Sequence, residues 1–107
     1  MTVITIRMNV LPEKRLELSQ TIASLSSNIM MEKGCQRCDF CQGVEDENRF
    51  FLHEEWDTQE NLENHLKSDN FKVIRGTMNL LQEPYEKTFH TVYQTAGRTV
   101  APKLQWQ

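Results

Sequence analysis

The residue types best suited to catalysis lie in the middle of the chain, at Glu54, Trp56 and His65. An imidazole titrates near neutral pH, so His65 is a candidate general base. Trp56 would form a flat wall on which an aromatic substrate could stack. Glu54 shares a predicted strand face with Trp56 and would stay buried only if it is paired. These three residues form the candidate catalytic set.

Each of the three also has a structural explanation. His65 lies at the edge of an apolar helix stripe, where a hydrogen bond to a carbonyl group or to Glu54 would explain it about as well as catalysis. Trp56 is a residue type that more often fills a core than carries a substrate, and for Glu54 a hydrogen bond to the helices is the favoured role. The residue types alone leave both interpretations open.

A pocket between the predicted sheet and helices would bring further side chains to a substrate. Phe71 and Leu52 would lie along its walls, Asn9 lies on the first strand, and Arg75 would neutralise an anion if it turned inward. Lys72 is the alternative cation for that role. The candidate substrate-binding residues are therefore Phe71, Arg75, Asn9 and Leu52.

Three cysteines, Cys35, Cys38 and Cys41, form a C-x2-C-x2-C run. The spacing resembles the opening of a zinc or iron–sulfur motif, but no fourth ligand lies at a standard spacing. In an extended segment Cys35 and Cys41 would share one face and Cys38 the other, so the thiolates would not converge without a bulge. We therefore expect small apolar residues and no metal site. A metal or redox site remains the weaker alternative.

Hydrophobic periodicity predicts the secondary structure. The predicted elements are a strand over residues 2–10, a helix from Pro12 to about Met31, strands over residues 35–44 and 49–56, a helical region from Asp57 or Thr58 to Pro84 that is broken near Ser68, and a strand over residues 85–94. Glu60 is placed to complete a capping box with Asp57. The order β-α-β-β-α-β is the α+β, ferredoxin-like arrangement, an antiparallel sheet with helices on one face.

The predicted strands carry apolar residues on both faces, although the helices would cover only one face. An open apolar sheet face of this size is unusual for a monomer. We therefore expect a homodimer in which a second copy of the chain covers the sheet.

The composition indicates one soluble domain. The chain has 107 residues, which predicts a single domain over residues 1–94 and a tail over residues 95–107. The tail is either a frayed terminus or an arm that reaches onto a partner subunit through Trp106.

The net charge of -3 disfavours nucleic acid as a partner. Without a membrane-length apolar run or a signal-peptide pattern, we expect no membrane partner and a cytoplasmic location.

Three stretches together resemble a known family. Gly34-Cys35 leaves the first helix, Glu54-x-Trp56 ends the third strand, and Leu62-x-x-His65-Leu66-x-Ser68-x-x-Phe71 follows. This pattern resembles the antibiotic biosynthesis monooxygenase domain, the quinol monooxygenase-like group of the dimeric α+β barrel superfamily. The resemblance covers about residues 2–94. It is specific for the fold and the family but not for one reaction.

The resemblance implies a chemistry that needs no cofactor. Family members that oxidise quinols or polyphenols use no metal or flavin, because the deprotonated substrate can pass an electron to O2 directly. The protein supplies a base, hydrogen bonds and a dry cavity. We therefore expect a cofactor-independent monooxygenase that oxidises a small quinol or phenolic compound with O2. The alternative is a homodimer of the same fold that binds a small aromatic ligand without turnover.

Overall fold

The computed structural model of the protein describes residues 1–93. Its elements follow the order β-α-β-β-α-β, with the second helical region divided in two. They are β1 (Thr2–Asn9), α1 (Arg15–Met30), β2 (Cys35–Gln42), β3 (Arg49–Trp56), α2 (Gln59–Leu66), α3 (Asp69–Gly76) and β4 (Glu86–Thr91). Short 3-10 turns cover Pro12–Lys14, before α1, and Thr77–Leu80, after α3.

The four strands form one antiparallel sheet in the order β2-β3-β1-β4. This is the ferredoxin-like order, so the predicted α+β fold class is confirmed. One face of the sheet packs against the helices, and alternate residues of β1 and β3 enter the core, as period-two alternation requires. The core side chains of these two strands are Ile4, Ile6, Met8, Phe50, Leu52, Glu54 and Trp56. From α1 the core receives Leu18, Ile22, Leu25 and Ile29.

Side-chain caps set the start of both short helices after β3. The Thr58 hydroxyl accepts a hydrogen bond from Asn61 N at 3.1 Å, and the Ser68 hydroxyl accepts one from Phe71 N at 3.2 Å. Thr58, and not Asp57, is therefore the N-cap of α2, and the predicted capping box with Glu60 is wrong. Because Thr58 is the N-cap, the third helical position belongs to Asn61 and not to Glu60.

The turn between α1 and β2 depends on Gly34, whose φ is +87°. Its carbonyl oxygen accepts a hydrogen bond from Asp57 N at 2.9 Å, which joins the turn to the end of β3. A Cβ atom at this position would collide with the side chains of Asp57 and Asn61. Glycine is therefore required here both for the left-handed backbone and for the close approach.

The predicted arrangement of the cysteines is wrong. A β-bulge between Cys35 and Arg37 adds one residue to β2 and changes the face on which every later side chain lies. As a result, Cys35 and Cys38 both lie on the helix-facing side, opposite Trp56 and Glu54, whereas Cys41 lies on the other face opposite Phe51.

The face of the sheet opposite the helices is more polar than we predicted. Only a few apolar side chains lie there, among them Val3 and Phe51, and ion pairs cross between the strands. Arg37 of β2 contacts Glu55 of β3 at 4.0 Å, and Arg7 of β1 contacts Glu86 of β4 at 3.9 Å. The prediction assigned too much apolar character to this face, because it weighed the aromatics at the start of β3 above the charged residues that follow.

The last predicted strand is shorter than expected, Glu86–Thr91 instead of residues 85–94. The predicted tail over residues 95–107 and its Trp106 anchor lie outside the described residues, so the division of the chain into domain and tail stays a prediction. Within residues 1–93, every helix is too short or too polar to cross a bilayer.

We expect Gly34→Ala to lower the free energy of unfolding by at least about 1 kcal/mol, because alanine disfavours a positive φ and its Cβ would collide with the α2 start. Gly76→Ala is the matched control, since a Cβ there meets nothing within 4 Å. In α3 it should raise stability by up to about 1 kcal/mol. Urea denaturation of both variants measures the difference, and two equal effects would contradict the role assigned to Gly34.

Candidate active site

The structure gathers the predicted catalytic residues into one buried network beneath the helices. Glu54 and Trp56 extend from the helix-facing side of β3, and His65 reaches them from the last turn of α2. Trp56 Nε1 donates a hydrogen bond to Glu54 Oε1 at 2.9 Å. His65 Nε2 lies 2.9 Å from the same oxygen. Their exposed fractions are 0% for Glu54 and Trp56 and 1% for His65.

Two aromatic rings enclose the imidazole of His65. Trp56 stacks on it with ring centroids 4.7 Å apart, and Phe71 meets it edge-on at 5.5 Å. Phe71 lies at the first turn of α3, where the Ser68 cap fixes the backbone direction. The imidazole is therefore fixed in position by packing as well as by hydrogen bonds.

Two residues that the sequence analysis missed complete the network. Glu32, in the turn after α1, accepts a hydrogen bond from His65 Nδ1 at 2.9 Å and another from Asn70 Nδ2 at 2.9 Å, both on Oε2. No local pattern marks either residue, because Glu32 lies in a polar turn and Asn70 on an exposed-looking helix start. Only the tertiary fold brings them to His65.

Burial and charge act in opposite directions on the pKa of His65. Burial disfavours the imidazolium form, but the negative charge of nearby Glu54, together with the charge and the hydrogen bond of Glu32, favours it more strongly. The net result is a raised pKa for His65. Two carboxylates therefore hold a proton on this ring to a higher pH than a free histidine would keep it.

Two atoms of the network lack hydrogen-bond partners among the described residues. They are Glu54 Oε2 and His65 Nε2, both fully buried. Nε2 lies 2.9 Å from Glu54 Oε1, but the geometry of this contact is not that of a hydrogen bond. The contact therefore contributes an attraction between charges only. Buried polar atoms are rarely left in this state, and where they are, a functional role or a bound molecule often explains them.

The predicted substrate-binding residues divide into those near His65 and those apart from it. Leu52 and Phe71 are buried in the same core. Arg75 is exposed on α3 and lies over the Phe71 ring, with its Cζ atom 5.4 Å from the ring centroid. Asn9 is not brought to the network, because its side chain is on the opposite face of the sheet, where Nδ2 donates to Glu83 Oε1 at 3.2 Å.

The two main surface clefts in the described part of the chain do not border His65, Trp56 or Glu54. The larger, about 440 Å³, lies where β1 ends and β3 begins and includes Arg7, Asn9 and Phe51. The smaller, about 260 Å³, lies between α1 and the end of β2. The surroundings of His65 are instead filled by side chains such as Trp56 and Phe71, and His65 is only 1% exposed.

The thiols on the helix-facing side of β2 are poorly suited to chemistry. Burial, followed by the charge of Glu54, raises the pKa of Cys35 to about 11 and that of Cys38 to about 12. A protonated thiol is a weak nucleophile and a poor metal ligand. Among residues 1–93, no group of three or more His, Cys, Asp or Glu side chains is arranged to hold a metal ion.

The sheet order and the helices on one face define a class of protein, the small α+β domains with a ferredoxin-like fold. The model of one family, antibiotic biosynthesis monooxygenase, matches residues 1–77. The chain therefore belongs to the antibiotic biosynthesis monooxygenase family, as its sequence pattern predicted.

Solved structures share this fold at low sequence identity. A protein from Nitrosomonas europaea, provisionally named an antibiotic biosynthesis monooxygenase, is 20% identical with a TM-score of 0.82 and covers 88% of this chain and 100% of its own. A protein from Mycobacterium tuberculosis is 18% identical with a TM-score of 0.81, over 90% of this chain and 98% of its own. A conserved protein from Methanosarcina mazei is 26% identical with a TM-score of 0.79, over 83% of this chain and 89% of its own. The search of curated proteins returned no significant match.

The raised pKa of His65 predicts how stability depends on pH. A group whose pKa is higher in the folded state stabilises the fold fully below its unfolded pKa of about 6.5 and loses that effect as pH rises through the folded value. We expect the free energy of unfolding to fall from about pH 6 upward, with a slope of at most about 1.4 kcal/mol per pH unit between the unfolded and folded pKa values.

Urea denaturation between about pH 6 and pH 9 measures this dependence against the His65→Gln variant, which should lose it. Titration of the His65 ring by NMR gives the pKa directly, and Glu32→Gln should lower it. A ring that titrates at or below the value of free histidine would contradict the network geometry.

Proposed function

We propose that the protein is a cofactor-independent monooxygenase that oxidises a small quinol or phenolic compound with O2. The observation that carries this proposal is the pair of unpartnered buried atoms, His65 Nε2 and Glu54 Oε2, in a chain of the antibiotic biosynthesis monooxygenase family. Nε2 is the atom of a general base that is ready to take a proton, because Nδ1 already donates to Glu32.

In the proposed reaction, neutral His65 removes a proton from a substrate hydroxyl group through Nε2. Glu32 stabilises the imidazolium that forms, since its carboxylate accepts from Nδ1. The electron-rich substrate anion then reduces O2 and combines with it at carbon. One oxygen atom stays in the product, the other leaves as water, and the substrate loses two hydrogens, so that SH2 + O2 gives SO + H2O.

The surroundings of His65 favour this chemistry in two ways. Trp56 and Phe71 form an apolar enclosure around the ring, and an apolar site protects a reactive anion and its oxygen adduct from water. Leu52 extends the same apolar wall along β3. The substrate hydroxyl would approach the position where Nε2 and Glu54 Oε2 lack partners.

Access to this position requires a change of structure, because His65 is only 1% exposed. Helices α2 and α3 cover it and are separated at Lys67 and Ser68, so each is a short unit of eight residues. We propose that these two helices move away from the sheet to admit the substrate, as covering segments do in other enzymes.

We further propose that the protein acts as a homodimer in the cytoplasm. The face of the sheet opposite the helices is not covered by any element within residues 1–93, and a second copy of the chain on this face would cover Val3, Phe51 and their neighbours. The described cysteines are free thiols, which is the usual state in a reducing compartment.

Oxygen consumption by metal-free protein with a panel of quinols and phenols tests the proposed reaction. We expect substrate-dependent uptake of O2 that rises with pH through the pKa of His65, because only the neutral ring accepts a proton. His65→Gln should reduce the rate by about 10²–10⁴-fold. His90→Gln, which changes an exposed histidine on β4, is the matched control.

The second candidate function is a non-catalytic dimer that binds a small aromatic ligand, in which buried His65 would have a structural role. That function predicts a thermal shift with aromatic ligands and no O2 uptake across the panel. Equal rates for His65→Gln and the wild type, with both proteins folded by circular dichroism, would remove His65 from the reaction.

Sedimentation equilibrium tests the dimer. We expect twice the mass of the chain for the wild type and a shift toward the single-chain mass for Phe51→Asp, which places a charge on the proposed interface. Val73→Asp is the matched control, since Val73 is an exposed apolar residue on α3. A wild-type protein that sediments as one chain would refute the dimer.

A further inference from the structure

Two cations lie over the ring of Phe71, the aromatic residue that packs edge-on against His65. The Cζ atom of Arg75 is 5.4 Å from the centroid of the Phe71 ring, and Nζ of Lys87 is 5.8 Å from it. Arg75 belongs to α3 and Lys87 to β4, so two separate elements direct positive charge to one ring. Phe71 itself is 2% exposed and contacts His65.

Four exposed basic residues within residues 1–93 form no ion pair with a carboxylate, and two of them, Arg75 and Lys87, lie over the Phe71 ring; the other two are Lys33 and Lys67. By contrast, Lys72 pairs with Asp69 at 3.4 Å, and Arg15 pairs with Glu47 at 2.7 Å. Within residues 1–93, neither Arg75 nor Lys87 forms such a pair. The chain as a whole has a net charge of -3, so this local excess of positive charge runs against the overall balance.

Two further aromatic residues, Tyr85 and Phe89, lie close to Lys87 along the chain. Lys87 also lies over the Tyr85 ring, with Nζ 5.5 Å from its centroid. Phe89, which follows Lys87 on the same face of β4, is 47% exposed although it points to the helix-facing side of the sheet. Aromatic rings and unpaired cations together suit a ligand that is itself an aromatic ring with a negative charge.

Resting on the proposed function, we infer that Phe71, Arg75 and Lys87 form the entrance to the His65 site, and that the two cations select aromatic substrates that carry a negative charge. Phe71 would have to move with α3 for a ring to reach His65 past the two cations, because it contacts both His65 and the cations. Arg75 and Lys87 are thus specificity-determining residues of the entrance, and Lys87 was not marked by any sequence pattern.

The test compares two probes of the same shape under anaerobic conditions, where neither is consumed. They are gentisate, a hydroquinone that carries a carboxylate, and its neutral carboxamide. We expect wild-type protein to bind gentisate more tightly than the carboxamide in equilibrium dialysis. Arg75→Gln and Lys87→Gln should each weaken gentisate binding by about fivefold and leave carboxamide binding within about twofold. Higher salt should reduce the preference.

Lys72→Gln is the matched control, because it removes one positive charge from the same helix but from a side chain that Asp69 already pairs. It should leave both affinities unchanged. The inference is overturned if the wild type binds neither probe, if it binds both equally, or if Lys72→Gln weakens gentisate binding as much as the other two variants.

Oxygen uptake with the same probes separates this inference from the proposed function. A charge preference that depends on Arg75 and Lys87, without any O2 uptake, would support the entrance and refute the monooxygenase. O2 uptake that is indifferent to the probe charge and to both variants would support the monooxygenase and refute the entrance.

Discussion

The structure depends on a buried imidazole that lies between two carboxylates, one fully buried and one half-buried. Isolated buried charges are very costly, so Glu54 can lie under the helices, with half-buried Glu32 at their edge, because His65 reaches both of them. Removal of one partner from such a network commonly costs about 3–5 kcal/mol, because the remaining charges stay buried. Four parts of the chain meet at this point: the turn after α1, the end of β3, the last turn of α2 and the start of α3.

The motif from Glu54 to Phe71 supplies most of the side chains that hold these four segments together around His65. Trp56 donates to Glu54 and stacks on His65, and Ser68 caps the helix that presents Phe71 to the same ring. Gly34 brings the turn that carries Glu32 against the start of α2. Structural and catalytic explanations of the motif are therefore not exclusive, because the same contacts that hold the fold also place an imidazole nitrogen in an apolar enclosure.

The protonation of His65 connects stability with the proposed reaction. The imidazolium form stabilises the network, since it faces two carboxylates, whereas the neutral form is the one that can act as a base. The conditions that favour the proposed chemistry are thus those in which the covering helices are held less tightly. Loss of the proton from His65 would therefore both loosen the covering helices and produce the neutral base. Movement of the helices and activation of the base would then occur in the same range of pH.

The fold and the centre of the site were predictable from the sequence, because periodicity and the Glu54-x-Trp56 and His65 spacing are local signals. The other residues of the candidate site could not be predicted, because they come to it from distant parts of the chain. Glu32 joins His65 from 33 positions away, and Lys87 reaches Phe71 from another element. The extra residue in β2 could not be read from an alternating pattern, and it reversed the predicted faces of Cys38 and Cys41.

That bulge has a practical consequence for anyone who labels the protein. Of the three thiols, Cys35 and Cys38 face the interior with raised pKa values, and Cys41 is left exposed beside Phe51 on the opposite surface. An alkylating dye should therefore attach first at Cys41. A fluorophore at that point lies on the uncovered face of the sheet, near the end of the edge strand β2. Its accessibility to a soluble quencher therefore reports on whether another molecule covers that edge of the face.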